Sequence, residues 1–399
     1  MSDSRRPFPR HPRASRRRRI ATTAIALTAL TGLALGGALP ASGSQTPATV
    51  ETSVTGDTVR QSLERLVRDD GFPGALAAVR GRDGRTRDLT AGVGDLETGS
   101  RVPVDGQVRI ASNTKTFVAV VVLQLVGEGR VGLDEPIETY LPGLVHGDGI
   151  DGRAITVRQL LQHTSGIPNY TAYIGDDFFA LRDRYMEPRE LLDLALAHPA
   201  SFPPGSRWEY SNTNYVLAGL LIQRVTGRPV AEEIDRRIID RLGLRDTYFP
   251  SVGERSIRER HPKGYHPPAP GAPLRDITEL DPSWGWAAGQ MVGTPSDLNR
   301  FFSGLLGGRL LAPAQLAAMR TTVEAPGLWP GARYGLGLSS SPLSCGGVAW
   351  GHGGDIPGYE TRGGATDDGR AATVAVTALP ATDTAHQHVL DVVDTALCR

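Results

Sequence analysis

The chain has 399 residues, 40% of them hydrophobic and 22% charged, with 43 basic residues set against 43 acidic ones. That length allows one large domain or two intimate ones with an ample core, and the composition is that of a soluble globular protein. The even charge balance excludes the chain-wide basic surface that nucleic-acid binding needs.

The first segment differs from the rest. Arg16, Arg17, Arg18 and Arg19 precede a charge-free apolar run over 20–39, and the small residues Ala41, Ser42, Gly43 and Ser44 follow. A basic head, an apolar middle and a small-residue zone predict a secretory signal peptide over 1–41. The alternative is an uncleaved anchor, because about twenty apolar residues can span a bilayer. The paired arginines would also suit a twin-arginine route. Removing 1–41 takes away eight arginines and one aspartate, leaving 35 basic and 42 acidic residues, a balance of −7. The expected product is secreted, with no nucleic-acid partner and no stable membrane association once the signal is cut. A polar tether is expected over 42–57.

Helical spacing of Val59, Leu63, Leu66 and Val67 predicts a helix over 59–68. Strands are expected at 75–79 and 87–91 around a turn at 81–84, and 108–111 leads into Ser112. The run 117–126 is apolar all round, which predicts a buried helix. Further helices are expected at 157–163, 188–197, 215–225, 230–242, 295–306 and 313–319. Five prolines between His261 and Asp276 predict a surface loop or lid. Strands follow at 334–339, 347–351, 359–365 and 372–379, with a last helix at 383–397. The fold class is therefore α+β: an antiparallel sheet built from both chain ends, 58–111 and 333–398, flanked by helices. A mostly helical part, 112–332, is inserted within one domain spanning 58–398. The two cysteines, Cys345 and Cys398, predict one disulfide in an exported chain.

Of the 43 basic residues 41 are arginine, and one of the two lysines closes Ser112-Asn113-Thr114-Lys115. Arginine carries surface charge as well as lysine does but cannot give up its proton. A lysine retained three residues after a serine points to chemistry that needs a titratable amine. Ser-x-x-Lys sets both side chains on one face of a helical turn, the arrangement of an activated nucleophile. Tyr210-Ser211-Asn212 and His352-Gly353-Gly354 follow in that order. With Gln162-His163-Thr164-Ser165-Gly166-Ile167 and Tyr334-Gly335-Leu336-Gly337-Leu338, the set resembles the serine β-lactamase and penicillin-binding-protein superfamily. Within it the chain is most similar to secreted actinobacterial D-alanyl-D-alanine carboxypeptidases of the class C-like branch.

The resemblance implies a β-lactamase/DD-peptidase-like fold and an acyl-enzyme on Ser112. Lys115 would have a lowered pKa and help take the serine proton, and Tyr210 would exchange it with the leaving amine; which of the two is the formal base stays open. Asn212 would hold Lys115 and a substrate carbonyl. The oxyanion hole would use the backbone N–H groups of Ser112 and Asp355. His352 stands where many relatives have lysine; it is expected to donate to Tyr210 or substrate and to titrate near neutral pH. Trp284 is expected to wall the pocket, with Phe178 and Phe179 opposite.

Three positions depart from the carboxypeptidase pattern. Ser339 stands where an arginine commonly grips the substrate's carboxylate, and Gly353 and Asp355 replace assisting hydroxyl residues. Arg362 could supply a substitute charge if its strand faces the pocket. The expected function is a secreted, monomeric serine hydrolase of D-Ala-D-Ala carboxypeptidase type. Its substrates would be D-amino-acid peptides or amides, peptidoglycan-derived peptides, esters or β-lactams, the last deacylating slowly. The alternatives are an esterase on this fold or a non-catalytic β-lactam or peptidoglycan sensor. No metal or organic cofactor is implied.

Overall fold

The computed structural model describes residues 48–399 except residue 176, with side chains from Asp57 onward. The expected signal peptide lies outside the described residues. The first helix, α1, runs from Ala48 to Arg68, so it starts within the stretch expected as a tether.

Nine strands form the main sheet: β1 Gly74–Arg80, β2 Thr86–Gly92, β3 Val323–Glu324, β4 Arg333–Tyr334, β5 Ser339–Pro342, β6 Val348–Gly351, β7 Gly354–Ile356, β8 Tyr359–Ala365 and β9 Ala371–Val376. Their order is β2-β1-β9-β8-β6-β5-β4-β3, and β7 also pairs with β8. The two chain ends meet where β1 lies antiparallel to β9, from Ala75 opposite Val376 to Arg80 opposite Ala371.

Side chains alternate across these strands. Ala75, Ala77, Val79, Ala372, Val374 and Val376 face one side. There they pack on Val59, Leu63 and Leu66 of α1 and on Val389 and Val392 of the last helix, Asp383–Cys398. Leu76, Ala371 and Ala375 face the other side and join the larger core. That core is built around α2, Thr114–Gly127, whose residues from Thr114 to Leu123 are all buried. The all-round apolar run of the sequence is thus a central helix, and Phe117 stacks on Phe301 at 3.7 Å between ring centroids.

The inserted part holds α3, Thr213–Thr226, and α4, Pro295–Leu306, with shorter helices at Val157–Leu161, Pro188–Leu196 and Pro313–Met319. Two expectations change. The proline-rich segment carries a small hairpin, Tyr265–His266 against Arg275–Asp276. The strand expected over 334–339 breaks into β4 and β5, because Gly335 N–H bonds to Leu338 O and closes a turn. Gly337 in that turn has φ +71°, and a Cβ there would lie 2.6 Å from Tyr215 Oη and 2.5 Å from Ala119 Cβ. Only glycine fits.

Cys345 and Cys398 are disulfide-bonded, fastening the last helix to the loop between β5 and β6 across 53 residues. A crosslink of that span restricts the unfolded chain and is worth about 2–4 kcal/mol. Cys345→Ser/Cys398→Ser should accordingly lower the urea midpoint relative to the oxidised protein. An unchanged midpoint would show that the bond contributes nothing to stability.

Candidate active site

Val108–Arg109 pairs with Val292–Gly293 and delivers the chain to a tight turn, Ala111–Asn113, that runs directly into α2. Ser112 is half-buried at this helix entrance, where unpaired backbone N–H groups and the positive end of the helix dipole lie. Lys115, one turn on, is fully buried.

The Lys115 amine has three neighbours: Ser112 Oγ at 2.9 Å, Asn212 Oδ1 at 2.7 Å and Ala288 O at 2.7 Å. Burial lowers its pKa well below the usual value, and Asp355 offsets this only in part. The Asn212 and Ala288 oxygens can only accept, so each takes an N–H bond from Lys115 and together they aim the amine at the Ser112 hydroxyl. Asn212 is held in this orientation by its own amide, which donates to Asn169 Oδ1 at 3.3 Å and Thr171 Oγ1 at 3.4 Å.

Tyr210 reaches the same centre from an irregular segment, its ring centroid 4.9 Å from Lys115 Nζ. Burial pushes its pKa well up, while a hydrogen bond with the Ser112 hydroxyl works in the opposite direction. The phenol is therefore protonated at neutral pH and able to donate. Ser112, Lys115, Tyr210 and Asn212 are all brought together.

His352 differs from expectation. Its Nδ1 lies 2.6 Å from Gly353 O, which can only accept, so Nδ1 carries the proton and Nε2 accepts from the Tyr334 hydroxyl at 2.9 Å. Burial, reinforced by Lys115, pushes its pKa down to about 3. It is a neutral prop at physiological pH rather than a titrating donor, and its ring centroid stands 6.4 Å from that of Tyr210.

Gly354 allows β7 to lie against the Ala111–Asn113 turn: a Cβ there would sit 2.3 Å from Ile110 O and 2.9 Å from Asn113 Nδ2. Ile356 pairs with Tyr359 across the two-residue turn Pro357–Gly358, and Asp355 faces Glu360. In an antiparallel hairpin of that register the pair next to the turn exchanges hydrogen bonds and the following pair does not. The Asp355 N–H consequently points away from β8, toward the strand's open edge.

The carboxylate of Asp355 is engaged from behind. Arg362, buried, donates to Asp355 Oδ1 and contacts Glu360 Oε1, both at 2.7 Å. Its guanidinium also lies 3.3 Å from His386 Nδ1 on the last helix. Burial opposes its charge, but the two carboxylates hold its pKa above the ordinary value. One guanidinium thus serves two carboxylates. Ser339 is buried with its hydroxyl donating to Gly351 O at 2.8 Å. With Gly353 and Arg362 it lines a cavity of about 280 Å³ on the side of the last helix.

Trp284 is buried, and Phe178 tilts directly against it at 5.4 Å between centroids. Phe178 and Trp284 therefore pack on each other rather than standing opposite, and Phe178 makes a second ring contact to His266. Phe179 lies 6.3 Å from His266 and under Arg275. Sequence reading assigned no role to His163, which lies beneath Tyr210, or to Asn169 and Ala288. His163 was nonetheless visible in the Gln-His-Thr-Ser-Gly string; Asn169 and Ala288 act through ordinary oxygens that no motif marks.

Comparison with known proteins places this geometry. The chain matches the Beta-lactamase family over residues 59–394. It is 41% identical to a D-stereospecific amidohydrolase from Streptomyces sp., with a TM-score of 0.77 over 84% of this chain and 98% of that one. D-amino acid amidase from Ochrobactrum anthropi SV3, solved with L-phenylalanine amide, is 30% identical with a TM-score of 0.76, covering 86% and 97%. Esterase EstB of Burkholderia gladioli is 35% identical over 202 residues, 48% of this chain and 50% of that protein. Penicillin-binding protein 4 of Amycolatopsis lactamdurans is 28% identical over 279 residues, 66% and 69%. The match spans about half the length of the esterase and less of the Staphylococcus aureus protein Flp, 41%.

Two outcomes follow from this geometry. Gly354→Ala should cost roughly a hundredfold in turnover, because the added methyl forces β7 off the Ala111–Asn113 turn and would shift the Asp355 N–H expected to serve the oxyanion hole; activity within threefold of wild type would contradict the close approach. For His352 the folded pKa lies below the unfolded value of about 6.5, so the unfolded chain binds more protons between the two. Stability should fall as pH drops from about 6.5 toward 3. In His352→Gln the slope of unfolding free energy over that window should be shallower by about one proton, as read from urea melts.

Proposed function

The chain belongs to the Beta-lactamase family, and on that footing we propose that it is a secreted serine hydrolase forming an acyl-enzyme on Ser112, with D-amino-acid amides and peptides as substrates. The observation that carries this reading is the buried Lys115 amine, anchored by Asn212 Oδ1 and Ala288 O and 2.9 Å from Ser112 Oγ.

In this scheme Lys115 accepts the hydroxyl proton as Ser112 Oγ bonds to the substrate carbonyl carbon. The carbonyl oxygen becomes an oxyanion between the N–H groups of Ser112 and Asp355. Tyr210 gives its proton to the departing nitrogen, the C–N bond breaks, and the Lys115 ammonium restores the phenol. Water then attacks the ester, its proton passing back through the same pair, and Ser112 is released. Lys115 is thus the base and Tyr210 the acid of the first half-reaction.

Charge on the leaving-group side supports amides over free acids. Arg362 is shared by Asp355 and Glu360, the Ser339 hydroxyl is already donating to Gly351, and the Asp355 side chain is 54% exposed. A terminal carboxylate would meet the exposed Asp355 carboxylate and, in Arg362, a cation already shared by two anions. The D-stereospecific amidohydrolase and the D-amino acid amidase are relatives whose names fit that choice. Ester hydrolysis is a second reading, favoured by the likeness to an esterase. Secretion is supported by the basic-apolar leader and the disulfide; among the described residues no helix is long and apolar enough to cross a membrane.

A fluorophosphonate should label wild type and leave Ser112→Ala unlabelled. Acyl-D-Ala-D-Ala, its C-terminal amide and a short acyl ester would then be compared, with the amide or ester expected to turn over about tenfold faster than the acid. Faster turnover of the acid would overturn the charge argument, and failure of both a fluorophosphonate and a fluorescent penicillin to label would favour a binding module.

A further inference from the structure

Among the described residues four that are not glycine adopt left-handed backbone: Asp105, Ala111, His163 and Trp286, with φ between +32° and +60°. Left-handed backbone is strained for an L-residue, and such residues gather where a fold must place particular groups. Ala111 immediately precedes Ser112. Trp286 opens the helical turn Trp286–Gly289 whose Ala288 carbonyl holds Lys115. His163 stands in the same relation to Tyr210.

We infer that His163 is a positioning residue for Tyr210, clamping the phenol at the angle from which it protonates the departing nitrogen; this rests on the acyl-transfer scheme above. Residues 207–211 belong to neither helix nor strand, so no backbone ladder fixes Tyr210. His163 supplies that support from both sides of it. Its carbonyl accepts from Glu209 N–H at 3.0 Å, and its Nδ1 accepts from Ser211 N–H at 3.2 Å. Its ring lies against the Tyr210 ring at 4.3 Å between centroids, inclined by 34°. The left-handed conformation lets one residue turn both its carbonyl and its ring toward the same tripeptide.

The chemistry of the ring fits the task. A backbone N–H can only donate, so Nδ1 must be the unprotonated nitrogen and Nε2 carries the hydrogen. Nε2 is buried without a hydrogen-bond partner, and the ring lies 5.0 and 5.3 Å from those of Tyr334 and Tyr215. Burial, with Lys115 and His352 nearby, lowers the pKa well below the usual value. Protonation would remove the acceptor that holds Ser211, so the clamp works only as neutral imidazole.

The test compares an amide with a p-nitrophenyl ester of the same acyl group. A departing amine needs the Tyr210 proton, whereas nitrophenolate leaves without it. His163→Phe keeps a flat ring and loses the acceptor. It should lower the single-turnover acylation rate for the amide roughly a hundredfold, with the burst rate of nitrophenolate release from the ester within about threefold of wild type, since the later hydrolysis of the shared acyl-enzyme uses Tyr210 for both substrates. His163→Asn keeps an acceptor oxygen and a residue type that tolerates left-handed backbone, and should recover the amide acylation rate to within about tenfold of wild type. Equal losses on amide and ester, no loss in His163→Phe, or no recovery in His163→Asn would overturn the role. If His163→Phe does not fold, His163→Gln, whose oxygen reaches past Ser211 N–H, must show the selective amide loss. Fluorophosphonate labelling runs alongside. A wild type that takes no label ends the acyl-enzyme reading itself, while a labelled wild type with unaffected variants ends only the clamp.

Discussion

Everything at this site depends on keeping an amine dry. Lys115 sits in a helix buried on all sides, and removal from water is the largest influence on its proton affinity. Fixed acceptors at Asn212 and Ala288 replace part of the lost hydration. Arginine could not substitute, since its guanidinium stays protonated under such conditions. That explains why a chain with 41 arginines retains a lysine here. Its other lysine, Lys263, lies within 3.3 Å of both Asp95 and Asp276 as an ordinary ion-pair partner.

The surroundings of Arg362 show how charge sharing changes what a guanidinium can offer. Arg362 looks in sequence like a replacement for a missing anion grip. In the fold its strand turns it toward the last helix, where Glu360 and Asp355 occupy it. The arginine keeps its charge but contributes little field beyond its partners, because two carboxylates screen it at contact distance. A residue's charge type is thus a poor guide to a pocket's potential when its partners arrive from elsewhere in the chain.

Much of this was legible before folding. The apolar run 117–126 announced a central helix, the alternation in 75–79 and 372–379 announced strands, and the order of Ser112, Lys115, Tyr210, Asn212 and His352 announced acyl transfer. What stayed hidden depends on contacts between distant residues. His352 has an unperturbed pKa near neutrality, and only enclosure beside Tyr334 and Lys115 makes it a neutral prop. The Tyr-Gly-Leu-Gly-Leu string alternates like a strand, yet Tyr215 and Ala119 crowd Gly337 and the chain turns there. Phe178 could have lined either side of a pocket until Trp284 and His266 decided which.

The pairing of β1 with β9 bears on when the protein becomes reactive. Ala75 waits for Val376, about three hundred residues later, before the sheet can close on its inner side. As the chain emerges from its N-terminus, Ser112 and Lys115 appear long before Tyr210 and far ahead of Asp355. Contacts of such long range form late in folding. The split sheet therefore makes the site a long-range assembly: the turn at Ala111–Asn113 meets β7 only once that strand, more than two hundred residues on, has formed its hairpin with β8.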